Sequence, residues 1–166
     1  MRIPSRQAGF TIIELMTVMV IAGVLLALAL PSFNETLARR RLEGQANELV
    51  TDLSYAKSEA VARNRSVLLQ TNPGGTTCYT VAVLPDPDPS GSAGSCNCTA
   101  SPRCTGGPTE LKTVILTNDV SITTNKLITF EPVRGTANAD SISVQNVSRT
   151  YTVSVAANGR IVPFTP

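Results

Sequence analysis

The stretch "GFTIIELMTVMVIAGVLLALALP", residues 9–31, decides the architecture, because it is apolar enough for a lipid bilayer yet carries a glutamate, Glu14, near its start. A carboxylate taken out of water without a partner is costly, so this residue needs a physical reason. Phe10 to Leu30 is 21 residues long, and a helix rising 1.5 Å per residue covers a bilayer core of about 30 Å over that length. The residues before it, "MRIPSRQAG", carry Arg2 and Arg6 and no acid, the pattern that holds an N-terminus in the cytoplasm. The rest of the chain is then expected across the membrane.

A secretory signal peptide is the competing reading, with a basic start, an apolar core and "ALA" at 27–29 as a small-residue cleavage site. Glu14 argues against it, since a carboxylate at the head of a signal core only makes insertion harder. A nearby positive charge would make Glu14 sensible, but no Lys or Arg lies between Arg6 and Arg39. Cutting the chain between Gly9 and Phe10 would create one: an α-amino group a single helical turn before Glu14.

With Gly9 before such a cut, Phe10 after it and Glu14 four residues on, "GFTIIELMTVMVIAGVL" closely resembles the processing motif of type IV pilins and type II secretion pseudopilins. The resemblance implies that residues 1–9 are a basic leader, removed on the cytoplasmic side by a prepilin peptidase that also methylates the new N-terminal Phe10. It implies that residues 10–30 remain as a single-pass anchor in a bacterial inner membrane, and later become the helical core of a filament. There Glu14 would pair with the Phe10 amine of a neighbouring subunit and set its register, as a pair in low dielectric can do if it offsets its own desolvation. Pro31 would clash with the carbonyl of Ala27 and leave it without its amide donor. A bend is expected at Pro31, as in many members of that family, with plain helix termination and a restart at Ser32 or Asn34 as the alternative.

Beyond Pro31, Leu42, Ala46, Leu49, Leu53, Ala56 and Ala60 follow one another at four- and three-residue steps. That is the apolar stripe of an amphipathic helix over residues 31–65. Arg39, Arg40 and Arg41 invite a nucleic-acid or lipid-surface reading, but residues 35–65 hold six basic and five acidic side chains. The expectation is a mixed, solvated face that salt-bridges to other subunits, with the arginine triplet able to meet anionic headgroups.

From Ser66 the pattern changes to short β-type runs, "SVLLQ", "CYTVAVL", "TVILT", "VSITT", "LITF", "SISVQNV", "RTYTVSVA" and "RIVPF", separated by turn signals such as "NPGG", "RG" and "NG". The expected fold class is α+β: a long N-terminal helix, transmembrane in its first half and amphipathic in its second, packed on a small antiparallel β head over 66–166. Residues 85–109, "PDPDPSGSAGSCNCTASPRCTGGPT", lack hydrophobic periodicity and are expected as an exposed loop held by cysteines. Asp86 and Asp88 alternate with proline, which favours a stiff solvated loop over a calcium site. The order of pieces, with "ITFEPVRGTANADSISV" and "TVSVAANGRI", resembles the GspH/FimT group of minor pilins and pseudopilins.

Cys78, Cys96, Cys98 and Cys104 fall within 27 residues, an even count that points to two disulfides formed outside the cytoplasm. The spacing lacks the paired C-x2-C knuckles of a zinc site. Cys96 and Cys98 are too close to bridge each other without strain, so one pairs with Cys78 and the other with Cys104, in either order. The chain has no His, which removes the commonest general base and metal ligand. No nucleophile elbow or phosphate-binding glycine loop appears. Neither an enzyme nor a cofactor is expected.

The family resemblance implies a minor pilin or pseudopilin that primes or caps a type IV pilus or type II secretion pseudopilus. Its partners would be other major and minor pilins or pseudopilins, the prepilin peptidase, the inner-membrane assembly platform and membrane lipid, with the head in the periplasm. The alternative is DNA capture, which FimT-type proteins perform through a Gly-Arg-x-Arg motif. Here that motif reads Gly159, Arg160, Ile161, Val162, so only Arg160 remains as a DNA contact, and the head from residue 66 holds six basic and six acidic side chains.

Intact-mass analysis is expected to give a mature chain that starts at Phe10, with the formal side-chain charge reduced from +2 to zero by loss of Arg2 and Arg6. A mature start at Leu30 would return the segment to the signal-peptide reading.

Overall fold

The computed structural model describes residues 9–85, 94–117 and 119–165, without the side chains of 28–32 and 164–165. The chain divides into two units, Met1–Ala38 and Arg39–Pro166. Helix α1 covers Ile12–Arg63. Its helical assignment runs through Pro31, so that residue does not terminate it. Asn64, at a φ of 50°, ends α1 in the left-handed region that asparagine tolerates better than most residues. Among the described residues, no helix is long and apolar enough to cross a membrane. The expected span of 10–30 includes three side chains outside the described set.

In the second unit, the strands are β1 (Val67–Asn72), β2 (Cys78–Val83), β3 (Ser95–Cys96), β4 (Cys104–Thr105), β5 (Thr109–Ile115), β6 (Ser121–Ile122), β7 (Leu127–Phe130), β8 (Asp140–Gln145), β9 (Thr150–Val155) and β10 (Ile161–Thr165). They form one four-stranded sheet in the order β5-β2-β1-β7, a second in the order β10-β9-β8-β6, and the small β3-β4 pair. Every pairing is antiparallel. The fold is therefore α+β, as the sequence pattern predicts.

The stripe Leu42, Ala46, Leu49, Leu53, Ala56 and Ala60 is buried in one core with the inner faces of both large sheets, including Leu69, Val81, Phe130, Ile142 and Val153. In β8 and β9 the buried residues alternate with partly exposed Ser and Thr, the signature of a sheet covered on one side. Strand β2 is buried at all six positions. Its second cover is the cysteine segment, where Leu68, Ala82 and Leu84 pack with Cys96 on the face away from α1, and Cys104 joins them.

This changes the expectation for residues 85–109. Residues 86–93, Asp86 and Asp88 among them, lie outside the described residues, but the part from Gly94 onward is not simply an exposed loop. Cys78 bridges Cys98 and Cys96 bridges Cys104, with Cα separations of 6.1 and 4.0 Å. The Cys96 amide donates to Gln70 Oε1 on β1 at 2.7 Å. Two cross-links and this hydrogen bond hold a short, nearly apolar-free segment as a lid on the sheet, so hydrophobic periodicity could not reveal it. Strand β5 likewise starts four residues before the "TVILT" run, because Glu110 and Lys112 conceal its first half while β2 still pairs with it across a bulge at Val81/Ala82.

The helix charges are not uniformly solvated either. Asp52 sits on the buried stripe at 3% exposure. Its Oδ2 accepts the Tyr79 hydroxyl at 2.8 Å and its Oδ1 accepts Lys112 Nζ at 2.7 Å. Glu48 lies 3.6 Å from the same ammonium. Burial, then the Asp52 charge, pushes the Tyr79 phenol well above its ordinary value, and the hydrogen bond from Lys112 to Asp52 raises that ammonium. A group whose pKa rises on folding gives stability that is complete below its unfolded pKa and lost as pH climbs toward the folded one. Urea unfolding is therefore expected to show stability falling above about pH 10, where free Tyr and Lys begin to titrate. Asp52→Asn should lessen that loss without abolishing it, because burial of the Tyr79 phenol persists, and an unchanged alkaline slope would show that the Asp52 charge contributes nothing to it.

Candidate functional site

In the first unit, Gly9 and Phe10 precede the helix, and Phe10 is 85% exposed. Thr11 caps α1: its Oγ1 accepts the Glu14 amide at 3.3 Å and its carbonyl accepts the Leu15 amide at 3.2 Å. Ile12 is the first helical residue, so Glu14 stands at the third helical position, one turn from the Gly9-Phe10 bond. An acid there also faces the positive end of the helix dipole. Thr11-x-x-Glu14 has the capping-box spacing, a local signal legible in the sequence beside the Gly9-Phe10 motif.

Among the described residues the Glu14 carboxylate has no hydrogen-bond or ion-pair partner. The polar group beside it is satisfied locally, since Thr17 Oγ1 donates to the Glu14 carbonyl at 2.9 Å. Ile12, Ile13, Leu15, Met16, Val18, Met19, Val20 and Ile21 are all exposed. A helix apolar on every side is unstable against water and needs a nonpolar surrounding. The structure thus places Gly9, Phe10 and Thr11 directly before α1 and Glu14 in its first turn. The Pro31 side chain lies outside the described set.

Arg160 is elsewhere, in the β9-β10 turn of the second unit. Its amide donates to Asn158 Oδ1 at 3.0 Å and its carbonyl accepts the Ala156 amide at 2.9 Å. Its side chain is exposed, as the turn pattern predicts. Val162, where a second arginine would stand, is on β10. The four cysteines form the two bridges described above and leave no free thiol. Among the described residues no group of acids or cysteines is arranged to hold a metal ion.

Comparison with known proteins agrees with this division. The family model "Type II transport protein GspH" matches residues 45–159, and that of the "Prokaryotic N-terminal methylation motif" matches residues 4–30. The Pilin-like protein PilA1 of Thermus thermophilus is 40% identical over 77 residues, 46% of this chain and 48% of that protein. A Fimbrial protein of Pseudomonas aeruginosa is 34% identical over 70 residues, 42% and 45% of the two. The chain spans about half the length of the curated relatives it matches. A crystal structure of the Pseudomonas aeruginosa (strain PAO1) type IV minor pilin FimU shares the fold, with a TM-score of 0.53 at 21% identity over 77% of this chain and 90% of that one.

Thr11→Val is expected to remove the side-chain cap at a cost of about 1 kcal/mol. Hydrogen exchange of the full chain in neutral-detergent micelles should show faster exchange at the Glu14 amide, with the second unit unchanged. Protection equal to the parent would mean that Thr11 Oγ1 does not hold this turn.

Proposed function

Because the chain belongs to the GspH family of type II transport proteins and carries the prokaryotic N-terminal methylation motif, we propose that it is a minor pilin or pseudopilin, a structural subunit that primes or caps a type IV pilus or a type II secretion pseudopilus. The observation that carries this reading is the Glu14 carboxylate, without a partner among the described residues, at the start of a helix whose apolar side chains from Ile12 to Ile21 are exposed on every side. Cleavage after Gly9 would free the Phe10 amine one turn away, and methylation would leave it charged. In one helix the two groups are adjacent along the chain. Between two helices they offer a single polar contact in an apolar interface, which penalises every register that leaves either charge unpaired.

In this reading residues 1–9 are the leader cut by prepilin peptidase, residues 10–30 anchor the subunit in the inner membrane before it enters the filament, and Pro31 lets the helix bend. Residues 66–166, with the second half of α1, form a periplasmic head that contacts other pilins or pseudopilins and the assembly platform. The disulfides fit an oxidising compartment. The chain's work is structural and non-enzymatic.

Glu14→Ala makes the segment more apolar, so cleavage and insertion should proceed as in the parent. Incorporation into sheared filaments, measured by quantitative immunoblotting, is expected to fall about tenfold or more, the effect of losing roughly 1.4 kcal/mol of register preference. Incorporation at the parental level would dismiss the pairing role.

A further inference from the structure

Residues 66–166 are balanced in charge along the sequence, and the whole second unit carries only a small basic excess, but the charges are not evenly spread in space. Most acids in it are spent on particular cations: Glu43 on Arg39, Glu59 on Arg63, Glu110 on Arg103, Asp52 and Glu48 on Lys112, and Asp140 on Lys126. What remains after this pairing is informative. Several cations keep no carboxylate partner among the described residues, and the fold brings three of them, Lys57, Arg134 and Arg160, to one place.

Two turns meet there back to back. The β7-β8 connection folds through Gly135, whose amide donates to the Glu131 carbonyl at 3.0 Å, and the β9-β10 turn through Gly159, whose amide donates to the Ala156 carbonyl at 2.8 Å. The Ala137 amide reaches across to the Ala157 carbonyl at 3.1 Å. Both glycines have left-handed φ values, 59° and 70°. A Cβ at Gly159 would stand 1.8 Å from the Gly135 carbonyl oxygen and 3.2 Å from Lys57 Nζ. One at Gly135 would stand 2.8 Å from Lys57 Cε. Lys57 Nζ donates to the Gly159 carbonyl at 2.9 Å, half-buried under both turns. Arg134 and Arg160, each next to one of the abutting glycines, are exposed.

We infer that Lys57, Arg134 and Arg160 form a docking site for an acidic protein surface, one that presents carboxylates beside an aliphatic side chain. Charge complementarity selects an anion: Glu131 is the acid of this locus, its carboxylate accepts Thr136 Oγ1 at 3.0 Å, and three cations exceed it. A lone half-buried ammonium on a backbone carbonyl retains donors for an incoming carboxylate. Arginine is enriched at protein interfaces, and the neighbouring Val133, 81% exposed, sets an aliphatic side chain beside Arg134. The two turns, Glu131–Thr136 and Ala156–Arg160, contain no aromatic ring on which a base could stack. Three cations also give a polyanion few phosphate contacts. The assignment stands apart from the role of Glu14.

The test uses the full chain in neutral-detergent micelles and a fluorescein-labelled acetylated peptide of repeating Glu-Val-Asp, followed by anisotropy at physiological salt, with duplex DNA as a parallel probe. The parent should bind the peptide, and Arg134→Ala/Arg160→Ala should bind it about tenfold or more weakly. Both residues are exposed, so the thermal midpoint should stay near that of the parent. Arg149→Ala, which removes an exposed cation elsewhere, should leave binding unchanged. The inference is overturned if the parent does not bind the peptide, if Arg149→Ala weakens binding as much as the double substitution, or if DNA binds more tightly than the peptide with the same dependence on Arg134 and Arg160.

Discussion

Burial of one helical stripe organises the second unit. The stripe's apolar residues from Leu42 to Ala60 are leucine and alanine, and each of them is at most 1% exposed. The alanines let sheet side chains such as Phe130 and Tyr151 approach the helix, while the leucines fill the space between them. Without that stripe the two large sheets would expose their inner faces, because neither covers the other's apolar residues alone. The Asp52 cluster lies on the same stripe, where a carboxylate is tolerated only because Tyr79 and Lys112 satisfy it. It also fixes α1 to β2 and β5, since both partners come from those strands.

The outer face of the first sheet presents the same problem with a different solution. Leu68, Ala82 and Leu84 point away from α1 and have no second helix to cover them. The cysteine segment does this with few apolar atoms of its own, held by two cross-links rather than by packing. Removing one native bridge from a small secreted domain costs about 2 to 5 kcal/mol. That is large for a cover made of two-residue strands.

In the first unit the described apolar side chains from Ile12 to Leu26 are exposed, and the Glu14 carboxylate stands at the first turn of α1. The second unit has the reverse arrangement: its apolar surface is mostly enclosed, and three cations without a carboxylate partner among the described residues gather at the Gly135/Gly159 contact. Both leave groups whose satisfaction must come from another molecule. Their chemistry differs. Apolar faces with one charge specify alignment within a nonpolar assembly, whereas exposed arginines around a half-buried lysine specify an aqueous, charge-selective contact.

Local information in the sequence determined the elements whose signal is carried by neighbours along the chain. The three- and four-residue spacing from Leu42 to Ala60, the end of α1 near Asn64 and the main strand runs all depend on short-range periodicity, and the Gly9-Phe10-Glu14 spacing lies within one turn. The even cysteine count pointed to two bridges, but both pairings fit the chain equally well. The tertiary structure decided that Cys78 meets Cys98, that the segment after Gly94 covers a sheet, and that Asp52 is buried rather than solvated. It also decided that Lys57, Arg134 and Arg160, far apart along the chain, share one locus. Distances across a fold depend on how the sheets close around the helix, and no local pattern records that closure. Charge behaves the same way: composition fixes the total, and only packing determines which acids are consumed and which cations are left over.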